Sequence, residues 1–354
     1  MMTKLAVALC LALTLAAPAS AAAAPPPQDE LQQLLAPGIE HEQAGRFQEA
    51  LDIYLRALRA YPKVEAIYSL VGNAQLGLGR HEEALASYRR AARHDANDAS
   101  AHYGAGNALY NLRRFEEAAA AYAVAARLRP DLPDAYANMS SAYYNLDRYG
   151  EAVAAARESV RIKPDFAGGY VNLSWYYSMT DQHRESLEAA RRAAELEPSN
   201  QMAHTNMCRA QNDLGQFVAA AASCERALRL KPEDGETLYY LGIARKGQKR
   251  PAGDLFARAL AALEAVENPE ADFIYLAAAA YSQLGRHAEA IAAYRRVLSE
   301  RPDFVKARYN LAVIYVVVGD RAAALAEQRE LRKLAPEKAA KLNALIADAA
   351  PRTP

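Results

Sequence analysis

Apolar and polar residues follow one another along this chain with a helical period that is interrupted at regular places. From Pro133 onward, Tyr136, Met139, Ser140 and Tyr143 fall at i, i+3, i+4 and i+7, one face of an α-helix. Asp147-Arg148 then supplies a turn. A second apolar series, Tyr149, Ala152, Val153, Ala156 and Val160, runs to Lys163-Pro164, where proline lacks an amide and clashes with the preceding turn. The stretch predicts a helical hairpin.

That hairpin recurs every 34 residues. Helix-ending prolines stand at Pro62, Pro130, Pro164, Pro198 and Pro232, with Ala96 in one slot, and the series resumes at Pro302 and Pro336. In the same frame Gly45, Gly79, Gly215, Gly285 and Gly319 mark the inner turns, with Arg113, Asp147 and Asp181 in the remaining places. A ring follows two residues later, as Phe47, His81, Phe115, Tyr149, His183, Phe217 and His287. Counting from Leu31 gives nine units, opening at Leu31, Glu65, Ala99, Pro133, Ala167, Gln201, Gly235, Ala271 and Val305. The eighth residue of each is small: Gly38, Gly72, Gly106, Ser140, Ser174, Cys208, Gly242, Ala278 and Ala312. Small residues there let two helix backbones approach closely.

The pattern resembles the tetratricopeptide repeat (TPR), with Leu-Gly then Tyr in the first helix and Ala, Phe and Pro in the second. The likeness spans roughly residues 31–338. It implies an all-α fold, a right-handed α-solenoid or superhelix of about nine TPR units whose first helices line the concave surface. A lone hairpin cannot cover its apolar stripe, so neighbours stabilise one another and the ends need caps. Ala339, Leu342, Ile346 and Ala349 form the stripe of a C-terminal capping helix. The expected organisation is a signal peptide at 1–23, a Pro-rich spacer at 24–30, one solenoid at 31–338 irregular over 235–270, and a capping helix with tail at 339–354. Pro37 should delay or kink the first helix. The 70-residue step from Pro232 to Pro302, in place of 68, with Gly247-Gln248-Lys249-Arg250-Pro251 and Asn268-Pro269, makes unit seven the irregular one.

Lys and Arg together number 42, as do Asp and Glu, so no basic field draws nucleic acid or anionic lipid. Lys4, the apolar run Leu5 to Ala17 and the Ala-x-Ala site at Ala19-Ser20-Ala21 read as a secretory signal peptide, too short for a comfortable membrane span. An uncleaved anchor and a lipoprotein built on Cys10 are the alternatives; Leu9 argues against the second. The mature chain is therefore expected in the bacterial periplasm or outside the cell. Cys208 and Cys224, eighth and twenty-fourth in unit six, lie on facing sides of one hairpin, so a disulfide is expected there. The alternative is a pair of small buried thiols.

Chemistry-bearing motifs are missing. His41-Glu42 and His81-Glu82 begin like a zinc-protease helix but lack the histidine four residues on, so no metal, no cofactor and no enzyme activity are expected. No nucleophile elbow or phosphate loop occurs. Asparagine is the better signal: Asn138, Asn172, Asn206 and Asn310 stand sixth in their units, Asn73 and Asn107 ninth. Each amide offers a donor and an acceptor, as an extended peptide backbone does. The strings around Asn138, Asn172 and Asn206 resemble the asparagine-ladder repeats of O-linked N-acetylglucosamine transferase, which implies a grip on substrate main chain without transfer. Trp175, Tyr103, Tyr144 and Arg209 should face the same groove as anchors. Solvation alone would also explain asparagines on a polar helix face. The sequence thus points to an exported, non-catalytic scaffold that binds an extended polypeptide. The alternatives are an accessory subunit of envelope polysaccharide assembly or export that binds glycan, and a hydrolase with a concealed site. Neither partner identity nor oligomeric state is written in the residues.

Overall fold

A computed structural model describes residues 28–348 except positions 63 and 65; the signal-peptide segment, residues 24–27 and the tail from position 349 lie outside it. Among the described residues there are nineteen helices and no strand, so the architecture is all-α, built of stacked helical hairpins. The hairpins gather in two compact units, one ending at Ile162 and one beginning at Lys163, where a single array was expected.

The first unit holds α1 (Gln28–Gln43), α2 (Phe47–Ala60), α3 (Ile67–Gly77), α4 (His81–His94), α5 (Ala99–Asn111), α6 (Phe115–Leu128), α7 (Pro133–Asn145) and α8 (Tyr149–Ile162). The second holds α9 (Ala167–Met179), α10 (His183–Leu196), α11 (Gln201–Asp213), α12 (Phe217–Leu230), α13 (Gly235–Gly247), α14 (Gly253–Glu264), α15 (Ala271–Gln283), α16 (His287–Glu300), α17 (Val305–Val317), α18 (Arg321–Leu334) and α19 (Pro336–Asp348). Within each unit every helix packs on the one before and the one after, and from α3 onward first helices also meet the next first helix.

The inner turns carry the left-handed residue that the glycine slot anticipates: Gly45 sits at φ 73°, and Arg113, Asp147 and Asp181 hold 59°, 57° and 57° in the same place. Such a residue lets the amides beyond the helix bond back to its last carbonyls, as when Arg46 N donates to His41 O at 2.8 Å. Several first helices start on a side-chain cap. Asp98 accepts from the amides of Ser100 and Ala101, and Asn200 and Asp234 cap α11 and α13 in the same way, each worth about 1 kcal/mol.

The core explains the small eighth residue more sharply than helix approach does. A Cβ added at Gly38, Gly72, Gly106 or Gly242 would stand 2.5, 2.9, 2.6 or 2.6 Å from the ring of Tyr54, Tyr88, Tyr122 or Phe256. The second helix thus lays a ring over the first at that point. Tyr54, Tyr88, Tyr122 and Tyr294 are fully buried there. In unit six the same two slots hold Cys208 and Cys224, joined as a disulfide between α11 and α12 with Cα atoms 5.3 Å apart.

Two expectations need correction. α1 is assigned from Gln28 straight through Pro37, so proline neither delays nor ends it. The missing amide orphans only the Gln33 carbonyl, and Gln33 is exposed to water. For the same reason the spacer cannot reach position 30: Gln28 to Glu30 already belong to α1. Unit seven is irregular throughout while keeping both helices: the turn 248–252 has five residues where other hairpins use three, as at 214–216, α14 has 12 residues, and the loop 265–270 has six.

Candidate functional site

In the first unit the asparagines serve the tyrosines. A buried phenol needs a hydrogen-bond partner, and the amides supply it. Tyr88 Oη donates to Asn73 Oδ1 at 2.6 Å and Tyr122 Oη to Asn107 Oδ1 at 2.8 Å. Asn107 Oδ1 also accepts from Asn138 Nδ2 at 2.9 Å, and that same nitrogen donates to Tyr103 Oη at 3.0 Å. In unit one, which has no such asparagine, Tyr54 donates to Glu42 at 2.9 Å instead. Burial raises the Glu42 carboxyl above 4.5, against the pull of the Tyr54 and Asn73 hydrogen bonds. A cavity of 300 Å³ opens beside this network, walled by Leu76, Asn107, Tyr110, Asn111, Tyr122, Asn138 and Ser141.

The larger cavity, 660 Å³, belongs to the second unit. First helices make most of its wall: Trp175 and Met179 from α9, Arg209, Asn212 and Asp213 from α11, Tyr239, Tyr240 and Ile243 from α13, Asp272, Tyr275 and Leu276 from α15, and Lys306, Tyr309 and Asn310 from α17. Asp181, His183, Phe304, Glu337, Lys338 and Lys341 complete it. Arg209 is only 3% exposed; its guanidinium lies 4.0 Å over the Trp175 ring and donates through Nη2 to Asn206 Oδ1 at 3.2 Å. Its Nη1 is 3.8 Å from Glu236 Oε1, too far for a hydrogen bond. Burial lifts the Glu236 carboxyl to about 7, and the nearby Arg209 charge opposes this only partly. Burial, then the Arg209 charge, pulls Lys306 down to about 8.

The expected groove residues therefore divide. Asn107 and Asn138 line the smaller cavity; Trp175, Arg209 and Asn310 line the larger. Asn73, Tyr103, Tyr144, Asn172 and Asn206 line neither of the two. Asn206 cannot be a ligand contact: it is 0% exposed, donating to Val171 O at 3.1 Å and accepting from Arg209. Asn310 spends its nitrogen on Tyr275 and Tyr294 Oη, at 3.1 and 3.3 Å. Tyr103 and Tyr144 pack tilted against Tyr122 and Tyr149, with centroids 5.8 and 5.9 Å apart. Asn172 is half-buried on α9. Arg209 is no protruding anchor but the support beneath Trp175. The residues that the asparagine pattern missed are Tyr239, Tyr275 and Tyr309, all fifth in units seven to nine, and the lysines of α17 and α19; the run of fifth-place tyrosines was the available signal. Among the described residues no group of three or more His, Cys, Asp or Glu is placed to hold a metal, and no helix is long and apolar enough to cross a membrane.

Comparison with known families places the array. A tetratricopeptide repeat model matches residues 70–133, 103–165 and 176–235, and a TPR repeat model matches 278–319, together more than half of the chain. The chain belongs to the tetratricopeptide-repeat family. Solved TPR-like structures agree in fold. A tetratricopeptide repeat protein from Parabacteroides merdae superposes with a TM-score of 0.55 at 16% identity, over 71% of this chain and 99% of that one. PilF of Pseudomonas aeruginosa gives 0.53 at 18% identity, over 59% and 96%. The Cut9–Hcn1 assembly of the APC/C gives 0.52 at 15%, over 91% and 64%. A comparison with curated proteins finds no match. TPR proteins bind protein or peptide partners.

Proposed function

We propose that the chain is an exported, non-catalytic scaffold that holds an extended polypeptide segment against the first helices of its hairpins, with the cavity of the second unit as the principal contact. One observation carries this reading: a 660 Å³ cavity whose wall comes from successive first helices and mixes rings with charged groups. Tyr239, Tyr275, Tyr309 and Trp175 offer apolar surface with a polar tip, the mixture found where protein surfaces anchor a partner. Nucleic acid is not the partner on this reading, since 42 basic residues face 42 acidic ones. A glycan ligand is the weaker alternative, because one face of the Trp175 ring is already covered by Arg209 at 4.0 Å.

The test is a titration of the full-length protein with a library of extended peptides and, in parallel, of oligosaccharides, read by Trp175 emission. Peptides should bind, and Tyr309→Ala, which removes one ring from the cavity wall, should weaken them at least about tenfold, the equivalent of 1.4 kcal/mol. Equal binding to both proteins, or binding of sugars alone, refutes the proposal. Export is tested separately by N-terminal sequencing of protein from the envelope fraction, where an intact leader would count against it.

A further inference from the structure

The second unit is tied across its own cavity. Lys338 of α19 places Nζ 2.8 Å from Asp181 Oδ2, and Lys306 of α17 donates to the Ser178 carbonyl at 2.7 Å. Ser178 and Asp181 belong to the α9 end of the first hairpin of this unit, while Lys306 and Lys338 belong to its last elements. Asp181, Lys306 and Lys338 all line the cavity. Among the described residues these elements lack the extended helix packing that joins successive helices, so side chains bridge the gap. Asp181 is well held for the purpose, at φ 57° in the hairpin turn. Burial pushes its carboxyl up, but the hydrogen bond and charge of Lys338, with the charge of Lys306, outweigh burial and leave it below 3.8.

We propose that Lys338 and Asp181, assisted by Lys306 on Ser178, form an ionic latch that closes the mouth of the cavity and sets how readily it admits a ligand. The strength suits a gate. Lys338 and Asp181 are 29% and 49% exposed, and a pair so placed shifts an equilibrium by a factor of about 2 to 5 rather than locking it. Each hairpin rests mainly on its neighbours, so small adjustments along the stack add up to an opening between its ends. An acidic segment that takes Lys338 from Asp181 would open the latch as it binds. The latch itself does not depend on what the cavity holds.

Trp175 is the only tryptophan of the chain and stands in the cavity wall, which gives a readout without any ligand. Acrylamide quenching of the full-length protein should increase with potassium chloride, reaching about threefold. Lys338→Gln and Asp181→Asn should quench at the high level already at low salt, with the salt dependence gone and the helical circular dichroism unchanged. Lys333→Gln, which removes a 2.8 Å bridge to Glu330 on α18, should behave as wild type. The exchanged pair Lys338→Asp with Asp181→Lys should restore protection. If wild-type quenching is indifferent to salt, or if Lys338→Gln and Lys333→Gln respond alike, the latch is refuted. Because no peptide enters the measurement, its failure would leave the binding proposal standing, and failure of peptide binding would leave the latch measurable.

Discussion

Asn107→Ala separates a structural amide from a ligand-gripping one. Asn107 Oδ1 accepts from Tyr122 Oη at 2.8 Å and from Asn138 Nδ2 at 2.9 Å. Tyr122 is 1% exposed and stacked over Gly106, so water cannot easily replace the lost acceptor. Stranding a buried hydroxyl costs about 1–3 kcal/mol; Asn138 keeps Tyr103 Oη and adds little. The first unit should melt about 2–12 °C lower, at about 2–4 °C per kcal/mol. Tyr122→Phe removes the donor instead, and in that background Asn107→Ala should cost at least about 0.5 kcal/mol less, the coupling expected of contacting residues. Thermal and urea unfolding by circular dichroism, compared transition by transition, measures all four proteins. If Asn107→Ala leaves stability unchanged, or the two substitutions are strictly additive, the amide is not the partner of the phenol. A stable variant that loses peptide binding would return Asn107 to the ligand.

Other outcomes follow from other residues. Glu236, lifted to about 7 by burial, favours the folded state fully below 4.5 and loses that contribution as pH rises through about 7; stability should fall over this window by up to about 1.4 kcal/mol per pH unit, and Glu236→Gln should flatten the slope. Replacing Cys208 and Cys224 by serine should cost about 3 kcal/mol, as expected for a closed loop of this size, with two free thiols by mass spectrometry in untreated protein contradicting the cross-link. Lys249 is exposed at φ 57°, so Lys249→Gly should raise the free energy of unfolding, measured in urea, by up to about 1 kcal/mol. Gly106→Leu should lower it by about 1–3 kcal/mol, since its Cβ alone would meet the Tyr122 ring at 2.6 Å.

Fold and site were unequally legible. Each hairpin is specified locally, by a stop, a left-handed turn and a stripe, and Gly45, Pro62 and Tyr54 announce these within a few residues of where they act. Pro37 misled because the cost of an interior proline depends on whether the orphaned carbonyl reaches water, which sequence does not display. The asparagines misled for a related reason. Their place in the repeat is visible, but the buried hydroxyl that engages Asn73 or Asn107 lies 15 residues on, at Tyr88 or Tyr122, and the Tyr294 hydroxyl that Asn310 meets lies in the preceding unit. Lys306 and Lys338 were beyond reach, since Ser178 and Asp181 are brought to them only by the accumulated rotation of several hairpins.

The cysteine pair occupies the slots that elsewhere hold a tyrosine ring above a glycine. One hairpin has exchanged a contact indifferent to its surroundings for a bond whose existence depends on the redox state of the medium. Because neighbours in such an array hold each other up, that dependence spreads to α10 and α13 and to the Arg209 and Trp175 stack one residue from Cys208. The chain thus carries, in a single hairpin, a chemical condition on where it can be fully assembled.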